Sequence, residues 1–498
     1  MKANSDKSKQ SNKAMHRVLA GVLCGASVLS LVLSLVMPPI SQAIANDAQT
    51  VSTEKTVTGD SSSESAVVEN TNNGDTENQN SDETEGDEPN TIATEADQPS
   101  DDAGVGGAVQ PAEEGANGEG AIALAAENES AYIIRSGGEL STKLPDPSLR
   151  DEKGAATFKL AADIEYDEEI RLEGANTNIT LDLNGFKIKH KSSGNPLFDV
   201  ANGAALTIRD SAQASETVDE GLSLTGQGQS PAADNYGKKA ELTYDTDNIP
   251  SNLTYYVTES SSNGADTTET LVKHSVEIKG AIVACGGSEN LKLINLYNNN
   301  GKGGKFNLEG GVLTQEKGSR VGSLVYAQDS SAVFVSNGYV CGASGSGAGG
   351  GIEIRNNSSL NVSSGVIAGN SAYSGGGVYA NASTVTITNG VISGNSTLDS
   401  VGFGGGLMAE GGSVTVSGGY ITNNKYAKFC GTEGSGCHGG GGLAANNGAH
   451  VTISGGQITG NYSAEAGGGV YVTDAGRQGW SRKDTAWLRI TGGGNYCL

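Results

Sequence analysis

The chain has 498 residues, 74 of them glycine, with only 5% aromatic residues and a formal net charge of −25. Glycine at that level points to a turn-rich or repetitive architecture rather than an ordinary two-layer globular enzyme. The acidity argues against nucleic acid as a partner, because no basic patch is available to offset phosphate charge.

At the N-terminus Lys2, Lys7, Lys9, Lys13 and Arg17 precede the apolar run "VLAGVLCGASVLSLVLSLVM" at 18–37. "PPISQAIA" follows and ends in a small-x-small site at Ala43 and Ala45. This pattern predicts a secretory signal peptide over 1–45, cut after Ala45. The apolar run is also long enough to span a bilayer as an uncleaved anchor, the one route by which the chain would touch a membrane. Cys24 follows Leu23, where a lipoprotein site requires a small residue, so it reads as part of the signal core. Residues 46–130 hold 21 Asp and Glu against the single Lys55, with no Phe, Trp or Tyr. Such a segment has nothing to bury and is expected to be a disordered, self-repelling spacer. The signal carries +4 and the spacer −20, leaving −9 for residues 131–498.

Short β runs begin near residue 155 and include "ITLDLNG" at 179–185 and "LTIRDS" at 206–211. Residues 212–273, with "NLTYYVTES" among polar neighbours, fit no such spacing and read as an insertion with one hairpin, projecting from the side of the fold. Beyond it, "FNLEGGVLTQ" and "SAVFVSNGYVCG" return to the pattern. Asp163, Asp182, Asp199 and Asp210, with Arg171, Arg209 and His190, form the richest collection of titratable groups. Asp182 lies between inward-looking Leu181 and Leu183, which places its carboxylate toward solvent or a turn.

From Gly349 the chain repeats. Five units open on a glycine triplet, and the last glycines are Gly351, Gly377, Gly406, Gly442 and Gly469. Their spacings of 26, 29, 36 and 27 are those of a solenoid. Each unit holds three short runs of alternating character, such as "GVYA", "TVTIT" and "GVISGN", which read as strands. One coil leaves unpaired backbone on both flat faces, so the coils must stack in parallel. The expected fold is all-β, a right-handed parallel β-helix over 131–498, of roughly twelve coils once the insertion is set aside. Val385, Ile387, Val451 and Ile453 are expected in its core. Asn370, Asn395, Asn424 and Asn461 each end an I-x-x-N run and are expected to form a ladder of stacked amides. The functional alternative for these four is a ligand groove.

A Gly-Gly-x-aliphatic start paired with I-x-x-N resembles the repeats of chlamydial polymorphic outer-membrane proteins, which carry Phe where this chain has Ile367, Ile392, Ile421 and Ile458. "ITLDLNG" with "LTIRDS" is similar to the opening coils of surface proteins of the pectate-lyase-like superfamily found in Gram-positive gut bacteria. These resemblances cover most of residues 155–495 and imply the fold and a cell-surface, adhesin-like role. The same fold also hosts lyases and hydrolases. A lyase of this kind needs Ca²⁺-binding carboxylates on adjacent coils with an Arg or Lys base, and a glycosidase needs paired carboxylates. Between Gly349 and Asn461 the acids are Glu353, Asp399, Glu410 and Glu433 and the strong bases Arg355, Lys425 and Lys428. Their positions in the repeat do not coincide. "GSGAGG" at 345–350 matches G-x-G-x-x-G, yet no helix follows it to cradle a phosphate. Asp474 is misplaced for a calcium-binding nonapeptide. No catalytic, cofactor-binding or metal-binding residue is therefore assigned, and none of the scattered tyrosines is assigned to a ligand.

The distance from the ladder asparagine to the next triplet is 5, 9, 16 and 6 residues in successive units, so length varies at this one turn. The longest holds "CGTEGSGCHGGGG" at 430–442. Cys430 and Cys437 bracket a flexible hexapeptide and are the candidate disulfide, with a metal site through His438 as the alternative. The chain stops inside a coil at "LRITGGGNYCL", an ending expected of a truncated protein. The expected function is that of a secreted or surface-attached bacterial protein, Gram-positive by resemblance, presenting loops to extracellular glycans or host matrix. The alternative is a polysaccharide lyase or glycoside hydrolase.

Overall fold

The computed structural model describes residues 131–212, 214–219, 221–224, 235–263, 266–398, 402–427, 439–473 and 485–491. The signal and spacer with Ala45, and the pair Cys430 and Cys437 with His438, lie outside them. One parallel sheet gathers 25 strands, and the pairings sort these strands into three columns. Column one runs from Ile164–Tyr166 through Lys187–His190, Ala281–Ala284, Val312–Gln315, Tyr339–Cys341, Val366–Ala368 and Val391–Ser393. Column two stacks Ile170–Glu173, Phe198–Ala201, Lys292–Tyr297, Ser323–Ala327, Ile352–Arg355, Val378–Ile387, Leu407–Thr422, Leu443–Asn446 and Val470–Val472. Column three stacks Ala155–Leu160, Asn178–Asp182, Ala205–Arg209, Lys305–Leu308, Ala332–Val335 and Ser359–Val362, and continues to Trp487–Ile490. The chain visits the columns in turn and always pairs in parallel, an all-β arrangement compatible with a β-helix-like solenoid.

Alternation explains the columns. In the strand 178–182, Ile179 and Leu181 are buried and Thr180 is not, and the same period buries Val385, Ile387, Val451 and Ile453. These side chains form one core cluster from Ile134 to Val470. Fully burying each such aliphatic is worth about 1.5–3 kcal/mol, a gain available only when neighbouring coils cover it. A short helix, Gly137–Lys143, places Leu140 and the following Leu144 on the same cluster. Ser136 and Glu139 cap its start: Glu139 N donates to Ser136 Oγ at 3.2 Å, and Arg135 N, one residue before the cap, donates to Glu139 Oε2 at 2.6 Å.

The two signatures of the repeat meet inside each coil. Asn370 Nδ2 donates to Asn395 Oδ1 at 3.0 Å, Asn395 Nδ2 to Asn424 Oδ1 at 3.0 Å and Asn424 Nδ2 to Asn461 Oδ1 at 3.1 Å. Each Nδ2 also donates to a backbone carbonyl, such as that of Ile367 from Asn395 at 2.9 Å. The last glycine of a triplet faces the ladder residue of its own coil. A Cβ on Gly406 would lie 2.8 Å from Asn424 Cγ and 2.6 Å from the carbonyl oxygen of Gly442. The first glycine of that triplet, Gly404, has φ +66°, open to few side chains. Glycine is thus required at one end by conformation and at the other by the amide it packs against. Just after each ladder asparagine the chain adds a fourth parallel column that the three-strand reading of the repeat did not contain. Its members are Ser371–Ala372, Ser396–Thr397, Lys425–Tyr426 and Tyr462–Ser463.

The insertion corrects one expectation: its hairpin does not stand off the solenoid. Pro250–Asn263 and Asp266–Glu277 form the hairpin, and Ser215–Val218, Leu222–Ser223 and Glu241–Tyr244 complete a five-stranded antiparallel sheet. Its alternate residues Leu253, Tyr255 and Val257 are buried with Val276 against Val283, Val312, Cys341 and Val366 on the outer side of column one. Thr258 N donates to Thr422 Oγ1 at 3.0 Å, Asn423 Nδ2 to the carbonyl of Tyr256 at 3.1 Å, and Ser260 N to Gln457 Oε1 at 2.8 Å. At the other end Lys187 pairs with Asp245 at 3.4 Å. The sheet therefore runs lengthwise along the coils. The apolar face of "NLTYYV" had to be covered, and the outer residues of column one, Val283, Val312 and Val366, are apolar as well.

Candidate functional site

Outward residues of column two line up coil by coil. The register sets Arg171, Asp199, Asn295, Tyr326, Glu353 and Tyr379 in one row. Two residues further along each strand, Arg355, Asn381 and Glu410 form a second row. Successive coils lie about 4.8 Å apart, so the five steps from Arg171 to Tyr379 span about 24 Å. Strand alternation builds the strip: Ile352, Ile354, Val378 and Ala380 point into the core, and Glu353, Arg355, Tyr379 and Asn381 point away from it.

The groups of the strip engage one another. Ser323 Oγ donates to Glu353 Oε2 at 3.0 Å, and Arg355 pairs with Glu353 Oε1 while its guanidinium lies 5.1 Å from the centre of the Tyr379 ring. Burial works against the charge on Arg355, but Glu353, Tyr379 and Tyr326 together hold the guanidinium above its ordinary value. Tyr379 donates to Glu410, which also accepts from Asn447 Nδ2 at 2.7 Å. Lys292 Nζ sits 4.6 Å from the centre of the half-buried Tyr326 ring. Burial raises both phenols, so they stay protonated donors. The residues before two of the glycine triplets turn onto the edge of the strip: Phe403 and Ala348 pack with Tyr379, Met408 and Tyr471. The variable turn of the repeat therefore borders this face.

Of the carboxylates singled out from sequence, three are committed to backbone. Asp182 Oδ1 accepts from the amides of Asn184 and Ser211, both at 2.9 Å, with Arg209 Nε 3.7 Å from Oδ2. Asp210 accepts from Gly185 N at 2.7 Å and Gly280 N at 2.9 Å, tying together the two ends of the insertion. Asp163 accepts from Lys187 N at 2.8 Å. Asp199 differs: it belongs to the strip, accepts from Asn295 Nδ2 at 2.6 Å and lies 3.6 Å from Arg171 Nε. Burial raises its carboxyl above the ordinary range. Glu173 is 3.8 Å from the same guanidinium. His190 is buried, with Nε2 2.8 Å from the carbonyl oxygen of Asn195, and burial lowers its pKa. Cys285 and Cys341 are both buried and in no disulfide, their thiols pushed up to about 12 by burial. Among the described residues no group of three His, Cys, Asp or Glu is placed to hold a metal ion.

Sequence reasoning missed the strip because it compared tyrosines as a class. Tyr373, Tyr420, Tyr426 and Tyr462 belong elsewhere, whereas "LVYA", "GVYA" and "GVYV" place Tyr326, Tyr379 and Tyr471 at the same point after the core valine. Comparison with protein-family models, with curated proteins and with solved structures gives no match to this chain.

Proposed function

We propose that the chain is a secreted, adhesin-like right-handed parallel β-helix of the pectate-lyase-like kind. It would be held off a bacterial surface by its acidic spacer and bind extracellular glycans along column two. The observation that carries this reading is the row Asn295, Tyr326, Glu353 and Tyr379 with Arg355 and Glu410 beside it. Glu353 and Tyr379 are buried and brace the strip, while the part-exposed Asn295, Tyr326, Arg355, Asn381 and Glu410 offer the donors and acceptors that sugar hydroxyls require, with the Tyr326 ring for their apolar sides. The adjoining turn, whose length varies from coil to coil, supplies the rim. Purified protein is expected to bind members of a glycan array or mucin, and Tyr326→Ala with Asn381→Ala to lose at least tenfold in affinity. A protein that binds neither, or a double variant that binds unchanged, would sink the reading.

A second reading, cleavage of a polysaccharide, is supported by Asp199, a carboxyl of raised pKa beside Arg171 and Glu173 on the same face. Release of unsaturated uronides or of reducing ends from polygalacturonate, abolished by Asp199→Asn, would favour it over simple binding.

A further inference from the structure

A second surface lies on column three, around the corner from the strip. Its outward row reads Thr157, Thr180, Thr207, Asn307, Phe334, Asn361, Thr386, Thr415 and Thr452 in successive coils. Every member but one is a small polar residue. Phe334 is 40% exposed, a large apolar ring rising from a flat hydroxyl and amide floor. Beside it a shallow cavity of about 300 Å³ is lined by Ala205, Thr207, Lys305, Asn307 and Phe334.

The register makes this shape. Ala205 and Lys305 pair across adjacent coils, as do Thr207 and Asn307, so the small Ala205 and Thr207 leave a step below the Phe334 ring. Ser336 Oγ donates to Asn307 Oδ1 at 3.0 Å, and Asn307 Nδ2 donates to Glu309, which fixes the amide at the cavity floor. Lys305 is exposed and brings a positive charge to one side. Continuing from Phe334, Ser359, Thr384 and Ser413 run parallel to Asn361, Thr386 and Thr415, giving two hydroxyl-bearing rows at the spacing of the coils.

We infer that this face binds an extended acidic polysaccharide: one pyranose stacks its apolar C–H side on Phe334, its carboxylate meets Lys305, and the chain continues over the Ser and Thr rows. An exposed aromatic ring gives a sugar face an apolar partner, and the floor supplies donors and acceptors for the ring hydroxyls. The ammonium selects a carboxylate-bearing sugar over a neutral one, in a manner that salt weakens. A flat, rigid and repetitive surface suits a repetitive ligand, because one conformation of the chain satisfies successive coils. This inference stands apart from the column-two reading and can succeed or fail independently of it.

The test uses the full chain with a hyaluronan hexasaccharide as the acidic probe and cellohexaose as the neutral one, read by calorimetry at low and high salt. The hexasaccharide is expected to bind and cellohexaose to bind at least tenfold more weakly. Phe334→Ala is expected to lose at least tenfold in affinity at both salt concentrations while keeping the circular dichroism of the folded wild type. Lys305→Ala is expected to lose affinity at low salt only, and Lys317→Ala, an exposed lysine outside both rows, to bind as the wild type does. Unchanged binding by Phe334→Ala, preference for the neutral probe, or no binding of either hexasaccharide would overturn the inference.

Discussion

Asn395 shows how much one side chain can carry in this fold. Its Oδ1 accepts from Asn370 N and Nδ2, and its Nδ2 donates to Ile367 O and Asn424 Oδ1, all buried. Asn395→Ala removes the side-chain partner of two buried backbone groups, Asn370 N and Ile367 O, and breaks the ladder on both sides. Because each such group costs about 1–3 kcal/mol, a loss near 3 kcal/mol is expected in urea unfolding. Thr384→Ala, on the exposed side of the same coil, should stay within about 0.5 kcal/mol. His190 gives a pH effect of definite sign. Its folded pKa lies below the ordinary value because burial disfavours the charged ring, while the unfolded chain takes up the proton near 6.5. Stability is therefore full above that value and falls as pH drops through the lower folded pKa. His190→Gln should flatten the decline in urea midpoint between pH 7 and pH 5, and an identical slope in the variant would exclude this residue as its source.

The insertion is the element whose role is least like that of the others. Solenoid strands pair with neighbouring coils, whereas this sheet crosses many of them, with contacts from Lys187 to Gln457. A polar knot fixes it: Glu216 accepts from Tyr255 at 2.7 Å, His274 Nδ1 at 2.8 Å and Tyr339 at 3.2 Å. The bond from His274 leads in holding this carboxyl below its ordinary range. Further along, Thr258 anchors the hairpin to Thr422 and Thr459. Thr258→Pro removes the donor to Thr422 and should detach that end. Hydrogen exchange is expected to rise in Val391–Ser393 and around residues 420–423 and 457–460, with the column-three strands still protected. A uniform change would mean that the hairpin is an ornament.

For the whole molecule, a stack held only by nearest-neighbour contacts can lose coils piecemeal, since each coil depends on the two beside it. The lengthwise sheet changes that by tying early coils to late ones. Because Asp210 and Gly280 are hydrogen-bonded to each other, residues 213–278 can be replaced by a short Gly-Ser linker without stretching the coils. The intact protein is expected to unfold in one urea transition and the linker variant in at least two, resolved by circular dichroism and tyrosine fluorescence. Coincident single transitions in both would show that the solenoid is cooperative without its brace.

The repeat was legible in the sequence because its causes are local. Two-residue alternation decides which side of a strand is buried, the first glycine of a triplet answers to its own backbone angle, and a recurring I-x-x-N marks one turn. The partner of the last glycine was not legible: Gly406 and Asn424 are far apart in sequence and meet only across the coil interior. The same reason hid the row of Tyr326, Glu353 and Tyr379 and the lone ring of Phe334. Repeats of 26, 29, 36 and 27 residues put neighbours in space at unequal distances in sequence. The docking of the insertion was hidden too, since the alternation of "NLTYYV" shows an apolar face without saying what covers it. The sequence by itself determined the period, the strands and the turn that varies, which depend on conformation and burial within one coil. Only the tertiary structure decided which side chains stand in line and which face stays open, because both follow from the register between coils.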